Sequence, residues 1–265
     1  MLERLHVKSE AATIDGVRVY ILTPDEIPPE NKDKVLIHIH GGCYVLSPGE
    51  SGTTEGIIMA GDGHYKVISV DYRMPPEAYF PAAVDDAVTV YKAVLKDTPA
   101  KNIGVFGTSA GGALTLELVL RAREQALPAP SALAAGTPMA DATKTGDSFY
   151  TNEKVDNVLV SRDGFCDAAT VIYAHGHDLK DPLISPVYGD AHYIDHWHSR
   201  PLVEQHGSRA SQAAAGGGRR NAPSLRRRIA RPIPSRRYFA RKQGSVRGDR
   251  IVLRGASWKV VARRN

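Results

Sequence analysis

The sequence predicts an α/β protein, a mostly parallel sheet with helices on both faces. Three observations carry this. Short β-rich runs alternate with helical stretches over the first two thirds of the chain. A glycine-rich segment, Gly107–Gly112, closes one such run and opens the longest helical stretch. The length of 265 residues, with 42% hydrophobic and 24% charged residues, suits a large soluble α/β domain rather than a disordered or fibrous chain.

The elements follow in order. Val17–Leu22 (VRVYIL) is a short strand after the turn signal Asp15-Gly16. Val35–His40 (VLIHIH) is a second strand, ending at Gly41-Gly42. Thr53–Gly61 is helical, and Lys66–Tyr72 (KVISVDY) is a third strand. Val84, Val88, Tyr91 and Leu95 recur at three- and four-residue spacing, which predicts a helix over Ala82–Leu95. Asn102–Phe106 is a fourth strand. Ala110–Ala126 is a helix, with Leu114, Leu118 and Arg121 in register and Pro128 just past its end. Ala132–Gly136 is a fifth strand. Residues 137–190 are less regular, with a helix expected at Gly164–Ala174 and an extended loop at Asp181–Asp190.

The net charge of +5 hides an asymmetry. Residues 1–190 carry 16 basic and 26 acidic side chains, a net of −10, whereas residues 191–265 carry 18 and 3, a net of +15. The two cysteines, Cys43 and Cys166, exclude a disulfide scaffold and a four-cysteine zinc site. No apolar run reaches the length of a membrane span, and the start MLERLHVKSE has no apolar signal core, so the expected address is cytoplasmic.

Three constellations carry chemistry. Gly107-Thr108-Ser109-Ala110-Gly111 is a G-x-S-x-G pattern between a strand and a helix. Small flanking residues permit a sharp turn that lifts the Ser109 hydroxyl above the sheet edge. The helix N-terminus then turns free N–H groups towards developing negative charge. A plain serine N-cap is the simpler reading, but a cap has no use for Gly107, Gly111 and Gly112 together. The second is His40-Gly41-Gly42-Cys43-Tyr44. It is either a tight turn or an oxyanion loop, and the serine elbow favours the loop, with His40 as a bracing hydrogen-bond partner. The third is Asp71-Tyr72-Arg73-Met74-Pro75-Pro76-Glu77. There Glu77 is a candidate general base, with a structural ion pair to Arg73 as the simpler role.

In this order, HGGC, DYRMPPE and GTSAGG resemble the hormone-sensitive-lipase-like (bacterial family IV, GDXG type) esterases of the α/β-hydrolase superfamily. The resemblance runs from about Thr13 to Asp190 and includes SPVYGD. One departure is Cys43 at the third glycine position; another is a short N-terminus, which leaves only a partial cap. The resemblance implies an α/β-hydrolase fold and a carboxylic ester hydrolase acting through a Ser109 nucleophile. Gly41, Gly42 and Ala110 would donate to the oxyanion, with His40, Gly107, Gly111 and Glu77 in support. It implies small acyl esters or lactones as substrates, no cofactor, no metal, no nucleic acid and no membrane.

The family's acid and histidine should follow SPVYGD. The chain there reads AHYIDHWHSRPLVEQHGSRASQAAAGGGRRNAPSLRRRIARP, rich in arginine and poor in amphipathic period. Codons offer a reason. Taking the last two bases of each codon with the first of the next, His192–Arg200 permits T-I-L-T-T-G-T-R-D. Its glycine is forced, because Trp197 is TGG and a histidine codon begins with C. Arg220–Ser235 likewise permits a run containing E-G-S-H. The expectation is an incomplete core over residues 1–190, and a basic tail over 191–265, read out of frame and not natively folded. No credible triad Asp or His then stands in this frame, and activity is impaired.

The alternative is a non-catalytic scaffold whose basic tail, with Arg226–Arg228 and Arg236-Arg237 beside Tyr238 and Phe239, binds nucleic acid or an acidic partner. His192, His196 and His198 with Asp195 could be drawn as a zinc cluster, but the frame accounts for them. Gly216–Gly218 lacks a Walker lysine and a preceding strand.

Overall fold

The computed structural model describes residues 1–189, apart from 147, 152, 154 and 156–163, and beyond them only Val252–Leu253 and Trp258–Lys259. The chain divides into two units, residues 1–200 with 250–265 and residues 201–249; the second lies wholly outside the described residues. The shifted-frame segments, the histidines 192, 196 and 198, Gly216–Gly218 and the arginine clusters lie outside them too.

The strands are β1 (Val7–Ile14), β2 (Val17–Pro24), β3 (Val35–Ile39), β4 (Lys66–Val70), β5 (Ile103–Thr108) and β6 (Ala132–Gly136). The helices are α1 (Thr54–Gly63), α2 (Ala82–Asp97), α3 (Ala110–Glu124), α4 (Ser148–Thr151) and α5 (Phe165–Ala174). One sheet runs β1-β2-β4-β3-β5-β6. The pairs β3–β4, β3–β5 and β5–β6 are parallel, and β1–β2 and β2–β4 antiparallel. The last two described strands, β7 (Val252–Leu253) and β8 (Trp258–Lys259), form a separate antiparallel pair.

The parallel strands are apolar on both faces because both are covered. On one face Leu22, Leu36, Val67 and Phe106 pack with Ile57, Met59 and Ala60 of α1. On the other, Ile37, Ile39, Ile68, Val70 and Val105 pack with Val84, Val88 and Tyr91 of α2 and Leu114 and Leu118 of α3. Each fully buried aliphatic side chain stabilises the fold by roughly 1.5–3 kcal/mol.

The turn expected at Asp15-Gly16 is a two-residue hairpin loop between β1 and β2. Asp15 has φ 44° and Gly16 φ 88°, both positive as a two-residue type I′ loop requires, and β1 pairs along the whole of β2. One expectation is corrected: the described part of the Asp181–Asp190 segment, Asp181–Gly189, is not an extended loop. Ile184 and Ser185 are buried, and Pro186–Tyr188 makes a 3₁₀ turn. The Ser185 hydroxyl accepts from Ala142 N–H at 2.8 Å, which explains a polar residue in that buried place.

Candidate active site

Strand β5 ends at Thr108 and α3 begins at Ala110, so Ser109 alone makes the corner, at φ 60°, ψ −120°. That left-handed backbone is costly for a residue with a Cβ and persists only where neighbours enforce it. Its N–H donates to Gly136 O at 2.9 Å, and its carbonyl accepts from Met139 N–H at 3.1 Å and Ala113 N–H at 3.0 Å. The flanking glycines answer to close approach. A Cβ on Gly111 would lie 2.0 Å from Ile39 O, and one on Gly107 2.2 Å from the same oxygen. The simpler N-cap reading fails on this geometry, since Ser109 makes no side-chain capping bond. The first N–H of α3, on Ala110, has no carbonyl within the helix to receive it.

The turn after β3 lies directly on this corner. A Cβ on Gly41 would be 2.7 Å from Thr108 O and 3.4 Å from the Ser109 Cβ. Gly42 (φ 116°), Cys43 (φ 51°) and Tyr44 (φ 64°) follow in succession, and Gly42 O accepts from Val45 N–H and Leu46 N–H.

The turn is braced from below. The His40 ring stacks on Tyr72 with centroids 4.2 Å apart, and its Nδ1 is 2.7 Å from Gly41 O. Burial drives the His40 pKa down to about 4, so the ring is neutral and Nδ1 carries the proton it donates to Gly41 O. The Tyr72 hydroxyl donates to His40 O at 3.0 Å. On the far side the Tyr44 hydroxyl donates to Glu117 Oε1 of α3 at 3.1 Å, and Tyr44 stacks on Tyr173 of α5 at 4.3 Å. Burial pushes the Glu117 carboxyl well above the usual carboxylate range, the Tyr44 bond opposing it.

The DYR segment is thereby explained without a direct chemical part. Asp71 accepts from Arg18 Nε at 3.0 Å and from Gly49 N–H at 2.8 Å. Tyr72 holds the turn after β3, as above. Arg73 forks onto Asp86 of α2, with its nearest nitrogen at 2.7 Å. This corrects the expected Arg73–Glu77 pair: Glu77 is exposed and lies 3.8 Å from Arg18 instead. Asp86 wins because, buried near the start of α2, its carboxylate also accepts from the Arg73 backbone N–H at 2.9 Å.

The sequence reading missed three partners. Glu117 lacks any local pattern, being one polar position in a helix otherwise read for its leucines. The cysteines, read only as too few for a scaffold, form a disulfide across 123 residues, Cα–Cα 5.2 Å. Ser69 Oγ lies 2.8 Å from His38 Nδ1, whose Nε2 is 3.6 Å from Glu55. That serine–histidine–glutamate order is sealed in the core, with His38 0% and Ser69 1% exposed, so it cannot receive a substrate. It does fasten α1 to the sheet. Glu55 is held below its usual pKa first by His38, then by the Thr108 hydroxyl beside Ser109, while burial opposes. Among the described residues no group of three His, Cys, Asp or Glu side chains could hold a metal, and no helix is long and apolar enough to cross a membrane.

Comparison with known proteins adds to this geometry. Residues 36–200 match a profile described as the α/β hydrolase fold. An acetyl-hydrolase of Streptomyces hygroscopicus is 32% identical over 178 residues, 66% of this chain and 59% of its own length. An esterase of Acinetobacter venetianus is 31% identical over 193 residues, 71% of this chain and 62% of its own. A crystal structure of an esterase superposes with TM-score 0.68 at 49% identity, covering 71% of this chain and 58% of that one. The chain thus spans about three fifths of the length of these relatives.

Proposed function

The chain belongs to the α/β-hydrolase fold family, in its hormone-sensitive-lipase-like branch, and on that premise we propose that it is built as a carboxylic ester hydrolase with Ser109 as nucleophile. The observation that carries the proposal is the contact between the Gly41–Gly42 turn and the strained Ser109 corner. An ester carbonyl above Ser109 would set its oxygen among the N–H groups of Gly41, Gly42 and Ala110. These donors stabilise the charge that develops as Oγ attacks. The acyl-enzyme then forms and the alcohol leaves with a proton. Relatives named acetyl-hydrolase and ethyl acetate hydrolase support short acyl esters as substrates.

Attack needs a base for the Ser109 proton and a group to orient that base. Among the described residues no side chain hydrogen-bonds the Ser109 hydroxyl. His40 is committed to Gly41 O and stacked on Tyr72, His175 stacks on Tyr79, and His177 meets Phe80 edge to face. The base and acid belong to the reading of the gene displaced by one base after Gly189–Ala191. There the codons of Arg200 and Ala230 permit Asp and His. The open outer edge of β6, which has no hydrogen-bonded neighbour beyond β5 among the described residues, supports this: the T-I-L-T-T-G-T-R-D run would supply the next strand.

The test compares hydrolysis of p-nitrophenyl acetate by the chain as given, by a frame-restored chain, and by each with Ser109→Ala. The chain as given should retain roughly 10³–10⁴ over water, and restoring the frame should add on the order of 10⁶ in kcat. Equal activity in both frames would refute the frame assignment, and a frame-restored chain indifferent to Ser109→Ala would refute the nucleophile.

A further inference from the structure

We propose that Cys43 and Cys166 form a thiol–disulfide exchange site that latches the oxyanion turn, so that a dithiol reductant unlatches it. As a control on activity this rests on the hydrolase reading; as a control on the turn it does not. Gly42, Cys43 and Tyr44 all hold positive φ, two of them against the preference of a side chain. Such a run stays in place only if ties outside it hold it there. Cys43 is tied to Cys166 and Tyr44 is stacked on Tyr173, and both ties lead to α5. Cys166 and Tyr173 stand two turns apart on that helix, so a single helical face grips two successive residues of the turn.

Helix α5 is lightly held elsewhere. Phe165, Val171 and Ile172 are exposed, and Tyr173, with Ala169, Thr170 and Ala174, carries its buried face. Its first turn depends on the disulfide and on the Asp167–Lys144 ion pair. Cys43 is 6% exposed while Cys166 is half-buried, so an incoming thiolate meets Cys166 first. The chain has no other cysteine, so within the chain the released thiols can re-form only this same pair.

The chemistry balances with a dithiol. One thiolate attacks Cys166 Sγ, the S–S bond breaks, and Cys43 leaves as thiolate. The second thiol then displaces Cys166 from the mixed disulfide. Two electrons and two protons pass to the protein, and the reductant departs as its own disulfide. With Cys43 released, the Gly41 and Gly42 N–H groups lose their fixed aim.

The deciding measurement is hydrogen–deuterium exchange of the full chain, air-oxidised or treated with dithiothreitol, read in peptides covering Gly41–Ser47, β4 and α5. Reduction should speed exchange in the turn by about tenfold or more and leave β4 unchanged. Cys166→Ser should exchange as the reduced chain does and ignore dithiothreitol; Cys43→Ser serves if that variant does not fold. Equal exchange of the turn in both redox states would overturn the proposal. So would alkylation of both cysteines by iodoacetamide in the unreduced chain. A turn that responds to redox, beside a frame-restored chain without Ser109-dependent turnover, sinks the hydrolase reading and leaves the latch standing.

Discussion

Gly16 and Gly111 both stand at turns, but for different reasons. A Cβ on Gly16 meets nothing within 4 Å, so only its φ of +88° matters. Gly16→Ala should cost about 1 kcal/mol. Gly111→Ala drives a Cβ onto the Ile39 carbonyl at 2.0 Å, backbone against backbone. That change should cost about 3 kcal/mol or more and shift the whole elbow. Urea denaturation of the two variants separates the cases, and similar losses would contradict the packing argument. His40 makes a pH prediction. Its folded pKa of about 4 lies below the ordinary 6.5, so its stabilisation is present above 6.5 and is lost as pH falls towards 4. The effect is on the order of 3 kcal/mol, and His40→Gln should flatten the stability profile in that window. Glu117 works in the opposite sense. Its raised pKa makes the fold most stable below about 4.5 and less stable as pH climbs. Glu117→Gln keeps an acceptor for Tyr44 and should remove that decline, read as denaturation midpoints at successive pH values.

At the scale of elements, the site depends on what lies behind it. The β1–β2 hairpin carries Arg18 to Asp71, and Asp71 holds Gly49 after the Gly41–Tyr44 turn. Arg73 fastens the end of β4 to the start of α2 through Asp86, which is 3% exposed. Asp86→Ala removes charge-assisted bonds from a mostly solvated arginine and should cost about 2 kcal/mol in a denaturant titration. Glu77→Ala, exposed and 3.8 Å from its partner, should change stability by less than about 0.5 kcal/mol. The DYR motif was readable in the sequence, but its partners were not. Glu77 is nearer to Arg73 in the chain than Asp86 is, and nearness in sequence misled because the proline-rich turn carries Glu77 away. The β1 strand escaped notice for a related reason. VKSEAATI is half polar and forms an edge, where pairing through the hairpin matters more than burial.

At the scale of the molecule, the charge split of −10 against +15 coincides with the last described residues before the tail. A tail that binds nucleic acid would lose affinity steeply with salt, and log Kd plotted against log salt for the full chain would show it. The frame reading predicts instead that resequencing across the codons for Tyr188–Arg220 finds a base gained or lost. Strand β6 enters the same prediction as the outer strand of the six-stranded sheet among the described residues, a template for association. Restoring the frame should lower light scattering at equal concentration and raise the melting temperature.

The sequence by itself determined the alternation of strands and helices, the strand-to-helix corner at Ser109 and the glycine turn at Gly41–Gly42. Each is written in a few adjacent residues whose size and backbone freedom leave few other conformations. Only the tertiary structure decided that Cys43 meets Cys166, that Tyr44 rests on Glu117 and Tyr173, and that Arg73 takes Asp86 over Glu77. These pairs lie far apart in the chain or compete with nearer partners. Which one forms is settled by strand order and helix placement, and those depend on how the whole apolar surface is buried.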